Sequence, residues 1–352
     1  MNDRYDFIVI GQGLAGTLIG YRLEKAGKSV CYVDAPEQTS ASSVAAGIIN
    51  PITGRRFVKS WRIDELLPEA EKLYTELEEK LGGQFRYELP LVRTLFNRGD
   101  QNDWDIRSCD EEYAPYLNSQ PELSTLPAIT KPAFAYAGVN RSSRIDLARL
   151  TEAYGTATLS AKRLLSEKVD YQKLIVNDKG ISYGPIKAKA VIFCEGWRAR
   201  HNPWFSYLPH RGAKGEVLHV RIDAPTPELM FKHRVFLVPR ANGTHWIGAT
   251  TENDFTDDIP TRANHDYLKS RLDEVLIAPY EIADHRAAVR PTVKDRRPLL
   301  GVHPDHENLF IFNGLGTKGA SLAPLCSRWL ADFILNAKSL PDEVNITRFP
   351  KK

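Results

Sequence analysis

The stretch YDFIVIGQGLAGTLIGYRLEKAGKSVCYVDA, residues 5–35, decides the fold. Phe7 to Ile10 is a short continuous apolar run, as a parallel strand buried on both faces requires, and it stops at Gly11. Ala15, Leu18, Ile19, Leu23 and Ala26 then recur at helical spacing until Gly27, a natural helix stop. Ser29 to Val33 reads as the next strand and ends in Asp34, about 20 residues beyond the glycine turn, as a dinucleotide-binding fingerprint expects. The residue types follow from the chemistry. Gly11 makes the tight turn, Gly13 lets backbone approach a pyrophosphate, and Gly16 lets helix and strand pack closely. Leu14 and Ala15 open the helix whose positive end faces phosphate. Asp34 is suited to accept hydrogen bonds from the adenosine ribose, and an acid there disfavours a 2′-phosphate, which leaves FAD or NAD.

Composition sets the wider frame. A chain of 352 residues has room for one large or two interleaved domains, and 42% apolar with 26% charged residues are ordinary globular values. A formal charge of +3 permits acidic ligands without arguing for nucleic acid. Cys31, Cys109, Cys194 and Cys326 have no metal-ligand spacing and read as scattered reduced thiols. With no secretory segment and no long apolar run, a soluble cytoplasmic protein is expected.

A second glycine-rich turn closes the chain. NLFIFN, residues 308–313, is another short apolar strand, and after GLGTKG the residues Leu322, Leu325, Cys326, Trp329, Leu330 and Phe333 repeat at helical spacing. Pro324 belongs in the first turn of a helix, so that helix is predicted to start near Ala320 with its electropositive end at the turn. Such an end stabilises phosphate, or the negative edge of a reduced flavin, equally well. AVIFCEGW, residues 190–197, reads as a third buried strand ending in glycine.

The order GQGLAG, Asp34, SSVAAGI at 42–48, CEGW at 194–197, RG at 211–212, VRPTVKDRRPLLG at 289–301 and NGLGTKGASLAP resembles the D-amino-acid oxidase family of FAD-dependent oxidoreductases. The family includes glycine and sarcosine oxidases and the flavin domain of a bacterial tRNA wobble-uridine enzyme. The resemblance implies an α/β fold: a Rossmann-like FAD-binding domain of the glutathione-reductase type (residues 1–83, 141–208 and 286–352). An α+β substrate domain built on an antiparallel sheet (84–140 and 209–285) is interleaved with it. It implies non-covalent FAD lying extended, with pyrophosphate at the first turn and isoalloxazine at the last. Ser42, Ser43, Ala46 and Gly47 would run past the cofactor, Val169 would sit at the adenine, Gly196 and Trp197 would line its path, and Gly314, Gly316, Thr317, Lys318 and Gly319 would hold the flavin end. Leu315, Arg296 and Glu195 depart from the family's pattern, which leaves substrate identity open.

On the substrate side, EVLHVRI at 216–222, RVFLVPR at 234–240, THWIGATT at 244–251 and RYELPLVRTLFN at 86–97 are strand-like. Asp64 to Gly82 reads as an amphipathic helix. Hydride transfer from carbon to flavin needs the protein mainly to position an amine and its carboxylate. Arg290, Lys318 and one of Arg55 and Arg56, with Arg56 preferred, are the cations expected to do so. His210, Trp246 and Tyr267 read as core or surface residues. The expected activity is oxidation of a C–N bond in a small amino acid or secondary amine. Removal of a carboxymethyl group from tRNA wobble uridine, or flavin-based sensing without turnover, are the alternatives.

Overall fold

Both faces of the first strand, Arg4–Ile10, are buried, and its side chains divide accordingly. In the computed structural model, which describes residues 4–35, 39–177 and 180–351, Phe7 and Val9 enter one apolar cluster while Ile8 and Ile10 enter another. Successive strand residues alternate faces, so an unbroken apolar run needs cover on both sides. His306–Asn313 repeats the pattern, with Phe310 and Phe312 on the first side and Leu309 and Ile311 on the second.

Both strands belong to an eight-stranded sheet. Leu164–Ser166, Val30–Asp34, Arg4–Ile10, Ile186–Phe193 and His306–Asn313 lie side by side in parallel. Leu174–Asn177 and Gly180–Tyr183 add an antiparallel meander beside the start of Ile186–Phe193, and Leu299–His303 runs antiparallel to His306–Asn313. The helices Leu14–Lys25, Ile63–Leu81 and Gly319–Asn336 cover one side. Glu69 of the second helix locks the three together, accepting from Arg22 of the first and, at 2.5 Å, from Arg328 of the last. The predicted α/β, Rossmann-like arrangement is therefore present.

A second eight-stranded sheet follows the order Tyr280–Val293, His210–Ile222, His245–Gly248, Phe236–Pro239, Met230–Lys232, Leu91–Leu95, Ala135–Val139, Leu117–Asn118. Its neighbours are antiparallel except Met230–Lys232 and Leu91–Leu95, which pair in parallel. The expected strand 86–97 breaks at Pro90, so that Arg86–Tyr87 pairs instead with Ser143–Ile145. Tyr280–Val293 stays on this sheet to its end, carrying residues 286–293 beyond the boundary expected at 285. Pro291 is tolerated inside it because the strand is an edge. Leu218, Val220, Leu237 and Ile247 face outward beneath the Arg262–Asp273 helix, whereas Val217, Val238 and Trp246 face the central sheet and share its core.

Candidate functional site

Between the two sheets lies one continuous cavity of about 1720 Å³, above the roughly 300–1,000 Å³ of an ordinary small-ligand pocket. Its wall runs from Asp34 and the first glycine turn to Lys318 and the last. Of the expected cofactor residues, Gly11, Gly13, Leu14, Ala15, Asp34, Ser42, Ser43, Ala46 and Gly47 stand on the wall, as do Val169, Gly196, Trp197, Gly316, Thr317, Lys318 and Gly319.

At the nucleotide end the backbone makes the site. A Cβ on Gly16 would lie 1.9 Å from the Gly11 carbonyl oxygen, so only glycine lets this helix sit so close to its strand. Gly16 itself is off the wall; it shapes the turn from behind. The helix opens at Gly13 with no side-chain cap and no acid in its first turn, and the Leu14 N–H donates to Ser42 Oγ at 3.0 Å. An acid-free helix end beside a backbone that tolerates close approach suits a pyrophosphate. Nearby, Glu195 accepts from the Tyr171 hydroxyl and, at 2.7 Å, from Asn202 Nδ2. Burial raises its pKa to about 7 despite those donors.

The last turn is tied down from both sides. Asn313 Nδ2 donates to the Gly196 carbonyl at 2.8 Å, the Gly314 N–H donates to Asn313 Oδ1 at 2.7 Å, and the Gly316 N–H donates to the Pro291 carbonyl at 3.0 Å. Gly314 does not reach the cavity; its α-carbon faces Val293 and Leu299, and its place in the site is the turn it permits. The helix then begins at Gly319, one residue earlier than predicted, again with no acid in its first turn.

The two expected cations at the substrate end have neutral partners. Arg290 sends Nη1 and Nη2 to one acceptor, the Thr250 carbonyl, each at 3.2 Å. Its guanidinium lies across Gly215, where a Cβ would come within 2.1 Å of Nη2. Lys318 Nζ donates to Thr53 Oγ1 at 3.3 Å and Ser60 Oγ at 3.1 Å. Among the described residues neither has an acidic ion-pair partner, and burial lowers the pKa of both, with Arg297 adding to the effect on Lys318. Desolvated cations without counter-charges are suited to an incoming carboxylate.

Arg56 is not brought to this cavity. It stands exposed in the turn between the short strands Ile52–Thr53 and Val58–Lys59, and only Thr53 of that hairpin reaches the wall. Trp246, set aside in the sequence reading, does line the cavity: its Nε1 donates to the Val44 carbonyl at 2.8 Å and its ring leans over Gly248. The pattern of apolar alternation could have flagged it, since Trp246 falls on the inner face of its strand. Gly215 and Thr250 act through the space they leave and a backbone oxygen, which no side-chain motif reveals.

Comparison with known proteins agrees with this geometry. Glycine oxidase from Geobacillus kaustophilus (strain HTA426) is 26% identical over 356 residues, covering 95% of this chain and 94% of that one. A crystal structure of glycine oxidase from Geobacillus kaustophilus superposes with a TM-score of 0.81 at 22% identity, over 100% of this chain and 99% of the other. Iminodiacetate oxidase from Chelativorans sp. BNC1 gives 0.77 at 21% identity, over 97% and 98%. Residues 6–333 match the family described as DAO, FAD dependent oxidoreductase, and the chain belongs to this family.

Proposed function

We propose that the protein oxidises the C–N bond of a small amino acid or secondary amine. The observation that carries this reading is a single cavity joining the pyrophosphate-shaped turn to Arg290 and Lys318, two desolvated cations that face neutral oxygens. Bound FAD supplies a hydride acceptor at N5, and the chain supplies the rest. Gly11, Gly13 and the Leu14 helix end hold the pyrophosphate, and Asp34 holds the ribose. The Gly316–Gly319 turn, at the head of the last helix, offers its positive end to the flavin.

Arg290 takes the substrate carboxylate on its two Nη groups, and Lys318 adds a second donor. Both cations also favour the neutral form of the substrate amine, because a nearby like charge disfavours protonation. The neutral amine is the form with a free lone pair, which the oxidation needs. Scattered thiols, three of them buried, fit action in the cytoplasm.

An absorption spectrum of the purified protein, followed by an anaerobic panel of glycine, sarcosine, D-amino acids and L-proline, tests this reading. A yellow protein bleached by at least one amine is expected. Arg290→Met and Lys318→Met should each raise the KM for that amine about tenfold or more. A flavin bleached by a carboxymethylaminomethyl-uridine RNA and by no free amine would decide for the tRNA alternative.

A further inference from the structure

We infer that the cavity holds a second anion subsite at Lys232, so that the preferred substrate is an amine bearing two carboxylates. This rests on the amine-oxidising reading and narrows its substrate class. The register of the second sheet lays the subsite out. Arg286 pairs with Val217, Val217 with Gly248, Gly248 with Phe236, and Phe236 with Lys232. Paired residues share a face, and all five line the cavity. Arg290, on the same strand as Arg286 and an even number of residues away, shares that face.

Charge is distributed unevenly over the wall. This sheet contributes Lys232, Arg234, Arg286 and Arg290 and, among the described residues, no acid. The acids on the wall, Asp34, Glu152, Asp170 and Glu195, come from segments around the nucleotide end. Arg234 is paired with Glu274 at 3.3 Å and Arg286 with Asp284 at 2.5 Å. Lys232 has no such partner among the described residues: its Nζ donates to the Arg234 carbonyl at 2.9 Å and sits 4.4 Å from the centre of the Phe236 ring. Its register neighbour on the far side is Arg93, another cation. Burial, reinforced by Arg93, holds the ammonium pKa down to about 8. An anionic ligand would relieve both effects.

The spacing fits a dicarboxylate. Four strand steps of about 4.8 Å separate the strands of Arg290 and Lys232, about 19 Å in all. The side chains lean toward each other, Arg290 over Gly215 and Lys232 over Phe236. Arg290 also stands four residues along its strand from the Arg286 row, an offset of about 14 Å that its lean over Gly215 halves, which leaves a gap on the order of 12 Å between the charges. Two carboxylates joined by a chain of a few atoms, with a hydrogen bond of about 2.8 Å at each end, span such a gap. Val217 and Ala288 between them are small, while the Trp246 ring fills the space above Gly248.

The test compares two unreactive analogues on the FAD-loaded protein, thiodiacetate with two carboxylates and (methylthio)acetate with one, by perturbation of the flavin spectrum. Thiodiacetate is expected to bind about tenfold more tightly. Lys232→Met should abolish that advantage and leave (methylthio)acetate unchanged, while Lys232→Arg should retain it. Iminodiacetate should likewise reduce the flavin at lower concentration than sarcosine does. Equal affinity of the wild-type protein for the two analogues would overturn the subsite whether or not the variants fold, and equal loss of both in Lys232→Met would do the same. If (methylthio)acetate binds and sarcosine bleaches the flavin without any gain from a second carboxylate, the subsite alone fails. If neither analogue binds and no amine bleaches the flavin, the amine-oxidising reading fails with it.

Discussion

At Gly215 a missing side chain decides where a charged one goes. The Arg290 guanidinium occupies the space a methyl group would take, so Gly215→Ala should push it off the Thr250 carbonyl. Because the displaced atoms are the far end of a flexible side chain, the fold should survive. The KM for a carboxylate substrate should rise about tenfold with FAD retention unchanged; an unaltered KM would show that the guanidinium is not held for substrate. Glu195 makes a different point. Its pKa stands near 7 in the folded protein against an ordinary 4.5. Between those values the folded chain keeps a proton that the unfolded chain has lost, so stability falls as pH rises from 4.5 to 7 and stays low above. Replacing Glu195 with Gln should stabilise the FAD-free protein by about 3 kcal/mol at pH 8 and by almost nothing at pH 4. Thermal melts of both proteins at the two pH values check it. The sequence marks Glu195 as a departure from the family pattern, but not the Tyr171 and Asn202 partners that reach it from elsewhere in the fold.

Elements differ in how openly they declare themselves. The strands of the central sheet are legible because both faces are buried, which writes them as unbroken apolar runs bounded by glycine. In the ribbon of His210–Ile222 and Tyr280–Val293 only 216–222 is legible as a strand, because Gly212, Gly215 and Pro291 read as breakers in the rest. Pro291 is accommodated by an edge position, Gly215 makes room for the Arg290 guanidinium and Gly212 for the Phe255 ring, and none of these appears in local sequence. The Ile63–Leu81 helix was readable from its apolar stripe, yet its polar side carries Glu69, whose carboxylate joins Arg22 and Arg328 from helices at opposite ends of the chain. Glu69→Gln would leave Arg22, whose side chain is only 16% exposed, without its counter-charge. A loss of about 3 kcal/mol in denaturant unfolding is expected, with cavity-lining residues untouched.

For the whole molecule, the cavity proposed to hold the cofactor draws on segments from Ile10 to Ser321, so a ligand bound there and the fold are thermodynamically linked. At free FAD a hundredfold above its Kd the protein should gain about 2.7 kcal/mol, and stripping FAD should lower the melting temperature by several degrees. A melt indifferent to added FAD would contradict a site shared between the ends of the chain. Family and cofactor were legible at this scale because several weak motifs occur in one order; the distribution of charge along the cavity was not, since it arises only when distant strands come into register. Asn313 supplies the last consequence. Its amide clips the closing turn onto Gly196. The residues through Asn313 must therefore have left the ribosome before the cleft has its far wall, which makes loading of the coenzyme wait for them and leaves any chain terminated ahead of them unable to retain it.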